Sequence, residues 1–246
     1  MSTPVVSLTA PARVKTALVA ASHGTSSPVG QAAVRGLVDA VARRRPELHV
    51  VQSFVDVQQP DVPVTLAGVD GPARVVPLLL SAGYHVHVDL AEAAAAYRRV
   101  EVSPALGPDQ RLVNVLAQRL KEAGLGRHDR VVLAAAGSTD PRAVADCELT
   151  ARMLARTLNM PVATGYISAA LPKLADSVVT ERAALRSSNG EGSPGRVVVS
   201  SYLLAPGYFA SLAARCGADI VTRPLLVPEE EPPQDLVSLV LERFSV

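Results

Sequence analysis

Thr16-Ala-Leu-Val-Ala-Ala-Ser22-His23-Gly24-Thr25-Ser26-Ser27-Pro28 decides the fold of this chain, because the same construction returns as Arg130-Val-Val-Leu-Ala-Ala-Ala136-Gly137-Ser138-Thr139-Asp140-Pro141. In both copies an unbroken apolar run ends at a glycine, hydroxyl or acidic residues able to cap a helix follow, and a proline stands where a first helical turn tolerates it. Apolar periodicity then continues through Val34, Leu37, Val38 and Val41. A strand leading directly into a helix is the unit of a βαβ protein, and its recurrence predicts two homologous halves. A second pair of segments agrees, since Leu79-Leu80-Ser81-Ala82-Gly83-Tyr84-His85 is echoed by Leu203-Leu204-Ala205-Pro206-Gly207-Tyr208-Phe209. Across the repeat His23 is matched by Ala136 and His85 by Phe209, so these two imidazoles are confined to the first half.

Further apolar runs fill in each half. The spacing predicts strands over 16–22, 50–55, 74–80 and 99–103, and again over 130–136, 162–167, 196–202 and 219–223. Continuous rather than alternating apolar character suits parallel strands covered on both faces. The expected fold is α/β, with two homologous βαβ-type lobes, each a roughly four-stranded parallel sheet flanked by helices. Gly124-Leu125-Gly126 ends a helix before the fifth strand, which places the lobes at 1–125 and 126–246. Ser187-Ser-Asn-Gly-Glu-Gly-Ser-Pro-Gly195 has the composition of a surface loop.

Composition excludes several classes. Hydrophobic residues make up 48% and charged residues 19% of the 246, enough for a substantial core. A formal charge of +1, with no basic run longer than Arg43-Arg44-Arg45, removes the electrostatic footprint of a nucleic-acid binder. Cys147 and Cys216 fit neither a disulfide framework nor a structural zinc site and read as buried apolar residues. No apolar run reaches membrane-spanning length and no secretory leader is recognisable, so the expected compartment is the cytoplasm. Aromatic residues are only 3%, and Trp is absent. A flat ligand would therefore be held mainly by aliphatic walls and hydrogen bonds.

In an open parallel sheet, ligands collect beyond the carboxyl ends of the strands. His23 follows the first strand, Asp56 closes the second, and His85 is expected to open the helix after the third. Two imidazoles and a carboxylate on one rim can hold a divalent first-row ion, accept protons near neutral pH, or simply cap helices. His49 and His128 are expected to face solvent.

Three segments carry a family resemblance: Ser22-His23-Gly24-Thr25-Ser26, Phe54-Val55-Asp56-Val57-Gln58-Gln59-Pro60, and Pro77-Leu78-Leu79-Leu80-Ser81-Ala82-Gly83-Tyr84-His85-Val86-His87-Val88-Asp89. In this order they resemble the sirohydrochlorin chelatases, class II tetrapyrrole metal chelatases. The resemblance implies insertion of a divalent metal into a sirohydrochlorin-type tetrapyrrole in a cleft between the halves. Fe²⁺ is then the expected substrate metal, with Co²⁺ or Ni²⁺ as alternatives, and no organic cofactor is expected. It also implies that His23 and His85 bind metal and accept protons. Asp56 stands where the family usually has glutamate, a carboxylate one methylene longer. His87 is extra to the motif.

Ser22, Thr25, Ser81 and Tyr84 become candidate substrate contacts, with Ser26, Ser138 and Thr139 at comparable helix starts. A cobaltochelatase is the nearest alternative function. A histidine phosphatase is another, although Ser22 occupies the position where those enzymes place arginine before the histidine, and a non-enzymatic metal or tetrapyrrole carrier is a third. With both lobes in one chain, a monomer would suffice.

Overall fold

A computed structural model of the protein describes residues 15–83, 88–188 and 195–246. The first half runs β1 (Ala17–Ser22), α1 (Pro28–Arg44), β2 (Val50–Phe54), α2 (Val62–Ala67), β3 (Ala73–Pro77), α3 (Leu90–Ala95), β4 (Val100–Val102) and α4 (Gln110–Glu122). The second repeats it as β5 (Arg130–Ala135), α5 (Pro141–Leu158), β6 (Val162–Tyr166), α6 (Leu174–Ser188), β7 (Val197–Tyr202), α7 (Tyr208–Ala213), β8 (Ile220–Val221) and α8 (Gln234–Ser245). The strands form two parallel sheets of four, ordered β2-β1-β3-β4 and β6-β5-β7-β8.

The central strands are buried on both faces, as their continuous apolar sequences require. Leu18, Ala20, Val76 and Leu78 point to the interior between the sheets, where Val131, Leu133, Ala135 and Val198 meet them in one shared core. Ala17, Val19, Ala21 and Val75 pack outward under one cover, and Val132, Ala134, Val197 and Val199 under another. The long helices start as expected. Ser27 Oγ accepts from Gly30 N–H ahead of α1, Asp140 Oδ1 accepts from Arg142 N–H ahead of α5, and Pro28 and Pro141 occupy the first turns.

Helices α4 and α8 are exchanged between the halves. Helix α4 packs against α5 and β7, whereas α8 packs against α1 and β3. The division at 125/126 thus separates the strands of the two sheets but not the helices that cover them. Arg119 of α4 and Arg243 of α8 are equivalent in the repeat and make equivalent bonds. Arg119 Nη2 donates to Leu225 O at 3.2 Å, and Arg243 Nε donates to Ala105 O at 2.9 Å. Ser103 Oγ donates to Arg243 O at 2.6 Å and Arg74 Nη1 to Phe244 O at 2.9 Å, fixing the end of α8 to the first sheet.

Helix α3 begins at Leu90, five residues past His85. Tyr84, His85 and His87, and residues 189–194 of the glycine-rich segment, lie outside the described residues. Cys147 is buried, Cys216 is half-buried, and both are free thiols. His49 and His128 are exposed. No helix among the described residues is long and apolar enough to cross a membrane.

Candidate active site

The first sheet reverses its winding between β1 and β3, so the crevice of this fold opens at the carboxyl ends of those two strands. Ser22 closes β1 and is buried, with its Oγ lacking a hydrogen-bond partner among the described residues. His23 emerges into the exposed rim. The chain after β2 runs alongside it: Val55 N–H donates to Ser22 O at 2.8 Å and Asp56 N–H to His23 O at 3.0 Å. His23 and Asp56 are therefore backbone neighbours. Gly24 makes the turn between them at φ +93°, and a Cβ there would lie 2.2 Å from Asp56 O. The Asp56 carboxylate accepts the N–H of Val57 at 2.7 Å, next to a left-handed φ of 63°.

The second half repeats this loop without its histidine or its carboxylate. Ile167 N–H donates to Ala135 O at 3.0 Å and Ser168 N–H to Ala136 O at 2.9 Å. Gly137 also turns at φ +93°, with its absent Cβ 2.0 Å from Ser168 O, and Ala169 matches Val57 at φ 51°. This register equates Asp56 with Ser168. The carboxylate, like the two histidines, is thus replaced in the second half.

Loops after β3 and β7 cross the seam between the halves. The carbonyl of Leu80 accepts from Tyr202 Oη at 2.7 Å, and that hydroxyl in turn accepts from Thr150 at 3.3 Å. Burial pushes the Tyr202 hydroxyl well above its ordinary range and keeps it a donor. Ala82 N–H donates to Asp146 Oδ2 at 2.8 Å. Ser81 hydrogen-bonds the Cys147 thiol, which burial pushes up to about 12. In the reverse direction a Cβ on Gly30 would lie 2.2 Å from Pro206 O, and one on Gly207 would lie 3.3 Å from Thr25 Oγ1. Each half's rim loop is seated on the first helix of the other.

The structure therefore brings Ser22, His23, Thr25 and Asp56 to one edge and holds Ser81 at the seam. Thr25 Oγ1 accepts from Ser27 N–H at 3.1 Å, and Ser138 Oγ accepts from Asp140 N–H at 3.0 Å, so both hydroxyls close the turns ahead of their helices. Among the described residues no three His, Cys, Asp or Glu side chains are clustered as a metal site. Sequence reasoning passed over Gln58, whose Oε1 accepts the N–H of Thr25 at 2.9 Å, and over Asp146 and Tyr202, which grip the β3 loop. Gln58 lies within a recognised motif, but Asp146 and Tyr202 are contributed by the half that lacks counterparts of His23 and His85.

The CbiX family model matches residues 17–123, the half that carries His23 and Asp56. The first half of the chain is thus similar to the CbiX family. A sirohydrochlorin ferrochelatase of Priestia megaterium is 32% identical over 113 residues, a match covering 42% of this chain and 42% of that relative. SirB from Bacillus subtilis, solved with Fe³⁺, is similar over 94% of this chain and 96% of its own, with 20% identity and a TM-score of 0.73. The cobalt complex of SirB from Bacillus subtilis subspecies spizizenii covers 94% of each chain at 19% identity, with a TM-score of 0.69. At those identities the two structures establish a chelatase fold that includes the second half. The chelatase signature itself is confined to the first half, where the His23–Asp56 loop lies.

Proposed function

We propose that the chain is a sirohydrochlorin chelatase that inserts Fe²⁺ into the metal-free macrocycle at the strand-end rim of its first half. The observation that carries this reading is the loop juxtaposing His23 and Asp56 at the winding reversal of the half matched by the CbiX family. Metalation requires two ring N–H protons to leave while a partly dehydrated ion is passed to the ring nitrogens. A neutral imidazole serves both needs, because one lone pair first ligates the ion and, once the ion has moved on, takes a proton. His23 is assigned this role, with His85 as its partner and Asp56 as the carboxylate that offsets the ion's charge. Asp56 already accepts the N–H of Val57, so metal binding would share or displace that bond.

The ferrochelatase relative favours iron. The cobalt complex of a structural relative supports Co²⁺ as the second reading, and imidazole and carboxylate accept either ion. The test is an anaerobic absorbance assay with sirohydrochlorin in excess over purified protein and Fe²⁺, Co²⁺ or Ni²⁺ supplied in turn. Many turnovers, fastest with Fe²⁺, are expected, and removal of either proposed proton acceptor, by His23→Ala or His85→Ala, should slow them about a hundredfold. Full activity in both variants would overturn the site assignment. Uptake that stops at one equivalent would indicate a carrier instead.

A further inference from the structure

We infer that Tyr208 and Phe209, in the half that lacks counterparts of His23 and His85, form the apolar platform on which one face of the tetrapyrrole ring rests. The inference builds on the chelatase reading and adds the substrate-binding role of the second half. The chain has five Tyr, three Phe and no Trp. Among the described aromatic residues, Phe54, Tyr166 and Tyr202 are buried and Tyr97 and Phe244 are half-buried. Tyr208 and Phe209 are 69% and 38% exposed. A chain so poor in aromatic residues thus leaves two adjacent rings in solvent, packed edge to face with centroids 5.8 Å apart and planes at 71°. That arrangement is a favourable one for two rings and holds them in place before any ligand arrives. Neither ring belongs to the buried core, and Ala213 is the one fully buried residue of α7.

Its position indicates what it meets. Tyr208 follows Gly207, which lies against Thr25 across the seam, and Thr25 is two residues from His23. Phe209 also occupies the place in the repeat that His85 holds in the first half, so the duplicated position carries an aromatic ring where its counterpart carries a proposed ligand. Val29, Val57 and Leu171 are further large apolar residues left exposed at strand-end loops or helix starts, at 51%, 56% and 74%. An apolar surface beside a metal-delivering histidine suits a macrocycle whose faces are apolar and whose carboxylates lie on its periphery.

The experiment titrates metal-free sirohydrochlorin, followed by its own absorbance and fluorescence, into wild type, Tyr208→Ser, Phe209→Ser and the double variant. Val179→Ser, on α6 and 65% exposed, controls for the loss of an exposed apolar residue elsewhere. Kd should rise about tenfold or more in the double variant, with smaller rises in each single variant and none in Val179→Ser. Co²⁺ binding by the same proteins, without tetrapyrrole, should change by less than about twofold, which separates loss of the platform from loss of the metal site. Unchanged sirohydrochlorin affinity in the double variant overturns the platform while leaving the chelatase reading intact. Failure of the wild-type protein to bind sirohydrochlorin overturns both.

Discussion

Gly24 leaves β1 at φ +93° with its missing Cβ aimed at Asp56 O, and Gly137 makes the same turn against Ser168 O. An alanine at either position meets both a disfavoured backbone conformation and a carbonyl closer than van der Waals contact, so each substitution should cost at least about 2 kcal/mol in urea unfolding. Their effects on catalysis should diverge. Gly24→Ala displaces His23 from Asp56 and should remove most metalation, whereas folded Gly137→Ala disturbs a loop without ligands and should retain it. Equal turnover per folded molecule would refute the assignment of chemistry to the first loop. The two histidines and their asymmetry were legible directly from the repeat. Loss of the carboxylate at Ser168 was not, because it emerges only once the backbone register equates Ser168 with Asp56. Cys147 gives a prediction in pH. Its thiol rises from 9.0 to about 12 because the folded state excludes the thiolate from water. Stability is then intact below pH 9 and falls as pH rises from there toward 12, because the unfolded chain ionises first. Between pH 8 and 10 the loss from this group is on the order of 1 kcal/mol, and Cys147→Ala should flatten the urea-measured pH dependence accordingly.

Among the elements, strand positions were readable to within one to three residues because burial on both faces leaves continuous apolar runs. The third strand is the informative departure. Its apolar run reaches Leu80, but sheet pairing stops at Pro77 and the remaining residues turn toward the second half. Leu80 O there meets Tyr202 Oη, and Ala82 N–H meets Asp146, contacts that no property of the Leu78–Leu80 run announces. Tyr202→Phe removes the donor while leaving Leu80 O and the Thr150 hydroxyl in the interior, a loss of about 1–2 kcal/mol in unfolding experiments. Since Leu80–Gly83 leads directly to His85, the variant should also lower kcat several-fold. KM for the macrocycle should stay within about twofold, the proposed ring platform being elsewhere. A raised KM with unchanged kcat would show that Tyr202 acts on substrate binding rather than on the placement of the loop.

At the scale of the whole molecule, the exchange of α4 and α8 was hidden from sequence for a physical reason. Apolar periodicity identifies the buried stripe of a helix but not the sheet that receives it. Both helices carry the stripe and the matching arginine, Arg119 or Arg243, and each donates to a carbonyl of the opposite half. Separating the halves at 125/126 therefore strips each sheet of a helix. A fragment of residues 1–125 loses Leu236, Val237, Leu239 and Val240, all nearly inaccessible to solvent in the intact chain. At about 1.5–3 kcal/mol per buried aliphatic side chain, this withdraws roughly 6–12 kcal/mol, comparable to the entire stability of an ordinary domain. Its own α4 would meanwhile have no β7 or α5 to cover. Two copies can solve both problems by exchanging α4, because α4 aligns with α8 residue for residue, from Gln110 with Gln234 to Arg119 with Arg243. The fragment should consequently run as a dimer in size-exclusion chromatography with light scattering, and its urea midpoint should rise with protein concentration. Added 126–246 should convert it to a one-to-one complex that restores α8 to β3. A cooperatively folded, concentration-independent monomer of 1–125 would show that the first half needs no exchanged helix.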